Sequence, residues 1–168
     1  NNRCAEELQR SIIHLERSVQ IEICGNPRHP DEELEDEPDD IDNDTANCKL
    51  QWLDNINLTS KYGHKVFSEE KKSVKHLMKI TREGLMPGQN ITPIILTIVE
   101  IDRKLAENAI NIANNTPVLN SNNAAKVLKE IKQALAHMNK ANKELAIGHF
   151  DHAIQEFRKA WEHAQQAI

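Results

Sequence analysis

From residue 93 to the end of the chain, large apolar residues return at alternating steps of three and four. That spacing lines one face of an α-helix, and such faces must be buried against one another, so the chain is constrained to pack helix on helix. The segment 93–114 carries two stripes of this kind, Ile94, Ile98, Ile101, Leu105, Ala109 and Ile112 in one and Ile95, Val99, Ala106, Ile110 and Ala113 in the other. Apolar surface over more than half of a helix's circumference predicts that it is the buried centre of a bundle. Thr92–Pro93 opens it, since Pro at the first helical position loses nothing by lacking an N–H. A second helix is predicted from Ser121 to about residue 147, with Ala124, Leu128, Ile131, Leu135, Met138, Asn142 and Leu145 along its seam. Gly148 suits its end. A last helix from about Phe150 carries Phe150, Ile154, Phe157, Trp161, Ala164 and Ile168, and the short link makes the two an antiparallel hairpin.

The N-terminal part is organised differently. Leu8, Ile12, Leu15 and Val19 predict an amphipathic helix over 4–23. Ser68 followed by Glu69 and Glu70 reads as a helix start, and Val74, Leu77, Met78 and Thr81 as the face of that helix. Between them lie an acidic run and an irregular stretch, 48–67, whose Trp52, Tyr62 and Phe67 are expected to anchor it to the core. The expected architecture is therefore all-α: an antiparallel bundle of four to five helices with an acidic irregular loop and a C-terminal helical hairpin. Its parts are an N-terminal helix (1–24), an acidic and irregular segment (25–67) and a bundle core (68–168). So long a tether lets the first helix dock on its own bundle or on a second copy, which makes Leu8, Ile12, Leu15 and Val19 a candidate interface.

Charge narrows the partners. Residues 25–47 hold ten acids against the single base Arg28, whereas the rest of the chain has 20 bases and 16 acids. Bases scattered on helix surfaces beside an acidic loop argue against nucleic acid. No apolar run approaches the roughly 18 residues of a membrane span. Asp40, Asp42 and Asp44 imitate the start of a calcium loop, but Thr45 stands where the turn requires Gly and Gln51 where a bidentate Glu should close the site. What remains is a weak cation site, with calcium as the only cofactor suggested.

The stretch LAIGHFDHAIQEFRKAWEHA at 145–164 places Gly148, Phe150, Ala153, Phe157 and Ala160 as the second half of a tetratricopeptide repeat does. Residues 134–164 thus resemble one such helical hairpin, with His137, Lys140, Ala141, Glu144 and Gln165 departing from the pattern. The resemblance implies a helix pair and protein contact.

Cysteine and asparagine usage bear on compartment. Cys4 and Cys24 mark the two ends of the first predicted helix, so Cys48 is the shared candidate and its pairing with Cys24 would close the acidic loop. Asn43, Asn57, Asn90 and Asn114 each begin an acceptor sequon where chance would place about one, with Pro117 weakening the last. Asn43, Asn57 and Asn90 are the candidate glycosylation sites. Among eight histidines, His149 and His152 flank the hairpin turn and His137 and His163 lie on its helices, without zincin or di-iron spacing, and are read as surface or turn residues. No catalytic constellation is spelled out. The expected function is a non-catalytic secreted or cell-surface subunit that acts through protein contact, with copies of itself as the expected partners. The alternatives are a cation-binding or sensing module built on the acidic loop and an accessory domain of a larger secreted hydrolase, the latter because the chain begins with Asn.

Overall fold

The structure, a computed structural model, describes residues 2–20, 22–23, 49–117 and 121–168. Cys24, Cys48, Asn43, Asp40, Asp42 and Asp44 lie outside the described residues. Among the described residues there are five helices: α1 (Asn2–Ser18), α2 (His64–Arg82), α3 (Thr92–Asn115), α4 (Ser121–Ala146) and α5 (Phe150–Gln166). Two short strands, β1 (Glu22–Ile23) and β2 (Lys49–Leu50), pair antiparallel with Glu22 opposite Leu50. The all-α bundle is thus the observed architecture. Among the described residues no helix is long and apolar enough to cross a membrane.

The centre of the bundle is α5, not α3 as the two stripes predicted. α5 packs against α4, α3 and α2, while α1 rests on α2. Ala153, Ile154, Phe157, Ala160, Trp161 and Ala164 of α5 are all buried. The reason is size: alanines let a neighbour approach closely, and Phe157 among them and Ile154 and Trp161 beside them fill the remaining space, each buried large side chain contributing roughly 1.5–3 kcal/mol. On α3, only the stripe Ile95, Val99, Ala106, Ile110 and Ala113 is wholly inside, whereas Ile94, Ile101 and Ile112 of the other stripe stand at its exposed edge. The seam of α4 is rotated likewise. Ala134 and Ala141 are fully buried against α5, and Leu128 and Leu135 face outward.

The first and last helix pairs repeat one another, a regularity that reading apolar stripes alone does not reveal. Glu7 and His14, Glu69 and His76, Glu130 and His137, and Glu156 and His163 all stand seven residues apart, one pair on each of α1, α2, α4 and α5. Because the partners run antiparallel, each Glu meets the His of the opposite helix. His76 Nδ1 lies 2.8 Å from Glu7 and His14 Nδ1 2.6 Å from Glu69, matched by His163–Glu130 at 2.7 Å and His137–Glu156 at 2.6 Å. A carboxylate offers only acceptors, so each Nδ1 carries the proton. In both hairpins the two imidazoles stack, with centroids 5.6 Å apart in one and 5.3 Å in the other. Between the clamps and one turn beyond them, buried small residues occupy the same places: Ser11, Ser73 and Ser18 in the first pair, Ala134, Ala160 and Ala141 in the second. Ser11 and Ser73 satisfy each other at 2.8 Å.

α2 begins at His64, four residues before the predicted start. Ser68 does not cap it; its hydroxyl donates to the His64 carbonyl at 3.1 Å. The chain turns into α2 through Gly63, where an added Cβ would come 2.5 Å from Leu58 Cβ and 2.8 Å from the Trp161 ring. Both neighbours are core. Gly63→Ala is therefore expected to cost about 1–3 kcal/mol by overpacking, read as a lower urea midpoint with an unchanged slope.

Candidate functional site

Two places depart from an ordinary packed bundle. The first is a pair of acids inside it. Asp102 of α3 has no solvent exposure and Glu70 of α2 has 4%. Burial pushes both carboxyls up, and Asp102 well up because the Glu70 charge lies within hydrogen-bonding reach of it; at Glu70 the hydrogen bonds with Asp102 and Ser18 offset part of the rise. Both Asp102 oxygens and Glu70 Oε2 lack any other partner. Two carboxylates have no proton to share, so a bond between them requires that one be protonated. Ser18, at the end of α1, hydrogen-bonds Glu70 and closes the site. The pair is sealed from any substrate.

The second is an apolar hollow of about 330 Å³ between α3, the C-terminal end of α5 and the loop before α2. Its floor is Leu58, Leu105, Ala109 and Trp161, all buried, and its rim holds Leu53, Ile56, Ile112 and Ile168, which are 65%, 63%, 39% and 58% exposed. The loop is built to hold those side chains out. Asp54 Oδ1 accepts from the N–H groups of Ile56 and Asn57, each at 2.8 Å, and Leu53 N–H donates to the Asn57 carbonyl at 2.8 Å. The Asn57 side chain, donating to Asp54 Oδ2 at 2.7 Å, holds the Asp54 carboxyl below its ordinary range. Asn108 ties the loop to α3, donating to Asn57 Oδ1 at 2.8 Å.

The chain matches no family model, and comparison with curated proteins and with solved structures yields no match.

Of the residues singled out from sequence, Leu8 and Leu15 pack partly against the core while Ile12 and Val19 stand exposed. α1 instead meets α2 through Glu7, Ser11 and Ser18, which are its buried residues. Cys4 is a half-buried free thiol. Asn57 has both ends of its amide engaged, whereas Asn90 is exposed, its Oδ1 accepting from Thr92 N–H at 3.1 Å. The four hairpin histidines divide into two kinds. His137 and His163 face inward in the Glu–His clamps, contrary to the surface reading, because their heptad spacing matches that of Glu130 and Glu156. His149 and His152 stay at the turn, joined there by Glu144. The sequence reading missed Glu70–Asp102 because single acids inside helices are ordinary, and only the packing of α2 on α3 brings the two together.

Proposed function

We propose that this chain is a non-catalytic interaction subunit, secreted or displayed at a cell surface, that works through protein contact and associates with copies of itself. One observation carries the reading: four exposed large apolar side chains converge on one hollow with an apolar floor. Single exposed apolar residues are normal, whereas a ring of them around a concavity is the form of a docking site. Leu53 and Ile56 stand as knobs beside the hollow, and a knob beside a hole is self-complementary under a twofold axis. The occupant is thus a second copy, its Ile56 inserted between Ile112 and Ile168. Light scattering tests this: the native chain is expected to be dimeric or larger and Ile56→Asp/Ile112→Asp monomeric with the same helix content. A native chain that stays monomeric at its highest soluble concentration sinks the reading.

The sequons support a compartment outside the cytosol. A glycan on Asn57 would stand on the rim of the hollow, so docking there requires Asn57 to be bare. Exposed Asn90 is the better acceptor. Expression in a glycosylating host is expected to give occupancy at Asn90 well above that at Asn57, measured by peptide mapping after glycosidase treatment; the reverse order would count against docking through the hollow.

A further inference from the structure

We propose that the turn joining α4 to α5 binds a zinc-type divalent transition-metal ion, with Glu144, His149 and His152 as ligands. The turn is held by its backbone. Gly148 takes φ +79°, and the Glu144 carbonyl accepts from the N–H of His149 at 2.9 Å and of Ile147 at 3.3 Å. Ala153 N–H then donates to the His149 carbonyl at 2.9 Å as α5 begins. Glu144 in the last turn of α4, His149 before α5 and His152 in its first turn are thereby placed by two rigid helices.

One donor atom from each of the three side chains lies within 4.8 Å of the others. Glu144 Oε2 is 2.9 Å from His149 Nδ1 and 3.8 Å from His152 Nδ1. An ion with bonds of about 2.0–2.2 Å sets its tetrahedral ligands a little over 3 Å apart, so small side-chain rotations close the set. The ion then replaces the hydrogen bond between Glu144 and His149. On the other edge of the His152 ring, Nε2 lies 3.8 Å from Asp151 Oδ2. That is beyond hydrogen-bond length, but the small ring rotation that brings Nδ1 to the ion can bring Nε2–H to Asp151, the arrangement in which a metal-bound imidazole is held by a second carboxylate.

The donors choose the ion. Two imidazole nitrogens and one carboxylate suit zinc, copper or nickel, whereas calcium takes six to eight oxygens and magnesium keeps a shell of water. Side-chain exposures of 33% for Glu144, 54% for His149 and 61% for His152 leave an entry path and an open fourth position for water. His137 and His163 do not take part, since each has its Nδ1 committed to a Glu inside the hairpin. This site is independent of the apolar hollow.

The test is calorimetric titration of the full chain with Zn²⁺, alongside Ca²⁺ and Mg²⁺. One Zn²⁺ per chain is expected, undisplaced by excess Ca²⁺ or Mg²⁺. His149→Ala and His152→Ala should each weaken it by about tenfold or more, and Asp151→Asn by about tenfold. His149 and His152 are exposed and Asp151 is partly buried, and circular dichroism checks that the variants stay helical. A chain with Asp40→Asn, Asp42→Asn and Asp44→Asn is expected to keep full zinc affinity, which separates the turn from the acidic run. Zinc binding that survives His149→Ala/His152→Ala, or no binding tighter than about 1 mM, overturns the proposal.

Discussion

Asp102→Asn is expected to stabilise the protein by about 2–4 kcal/mol at pH 7–8 and to remove most of its loss of stability with rising pH. In the native pair Glu70–Asp102 burial raises both carboxyls, and the neighbouring Glu70 raises Asp102 further, while the bonds to Asp102 and Ser18 hold Glu70 below what burial alone would give. Below the ordinary carboxylate range, near pH 4, folded and unfolded chains both hold the protons and the pair has no pH dependence. Above it the unfolded chain ionises while the folded chain keeps at least one proton, so stability falls by about 1.4 kcal/mol per pH unit for each proton retained. The fall continues until the pH passes the raised folded value. Asn at 102 supplies a neutral donor to Glu70 in place of that proton. The acid limb has the opposite sign. In Glu7, Glu69 and Glu156 burial pushes the carboxyl up, but hydrogen bonds from Lys79 and His76, from His14, and from Lys159 and His137 outweigh it, and each titrates below the usual value. Their contribution is present above about pH 4.5 and lost as the pH drops through their folded values. The stability maximum should therefore lie near pH 4–5. Urea unfolding from pH 3 to 9 reads both limbs, with Glu70→Gln as a second variant. Stability that is level or rising between pH 5 and 8, or an Asp102→Asn protein weaker than native at pH 8, would contradict the shared proton.

What the sequence could disclose was set by how local each signal is. The starts of α3 and of α5, at Thr92–Pro93 and after Gly148, are written in residues within one turn of each other, and both lie where the pattern places them. Which side of a helix is buried depends on its neighbours, and there the pattern misleads. On α4 the larger residues Leu128 and Leu135 mark a seam, yet the hairpin closes on Ala134 and Ala141 because small residues bring the helices near enough for His137 and His163 to reach across. On α1 the apolar residues are at the flank and the contact is polar. The heptad pairing of Glu with His was visible from the start, but hydrophobic periodicity passes over charged residues. The hollow joins residues 53–58 to residues 105–112 and 161–168, and no local pattern foretells such a meeting.

The polar contact of α1 makes Glu7 the side chain on which its docking turns. Glu7→Ala is expected to cost about 2–3 kcal/mol, less than for a fully buried pair because its partners are partly hydrated. Glu7 is 3% exposed and accepts from Lys79 Nζ at 2.6 Å as well as from His76. Without it, two donors on α2 face a cavity, while Ser11–Ser73, His14–Glu69, Ser18–Glu70, the exposed Arg3–Glu83 pair and the flanking Leu8 and Leu15 remain. The equivalent change in the second hairpin, Glu130→Ala, should cost less, about 1–2 kcal/mol, since it frees His163 where Glu7→Ala frees both His76 and Lys79, and the alanine seam holds α4 to α5. Hydrogen exchange separates the two. Glu7→Ala should lose protection across residues 2–18 while α3 to α5 keep theirs, and Glu130→Ala should change protection little. Equal costs, or loss of protection throughout the molecule on Glu7→Ala, would mean that α1 is not held by this clamp. The same variant reports on the interior, because Ser18 at the end of α1 covers Glu70. An α1 that swings away admits water to the acid pair, lets Glu70 ionise nearer its ordinary range, and flattens the alkaline limb; Glu7→Gln, which keeps an acceptor for His76, should leave that limb steep.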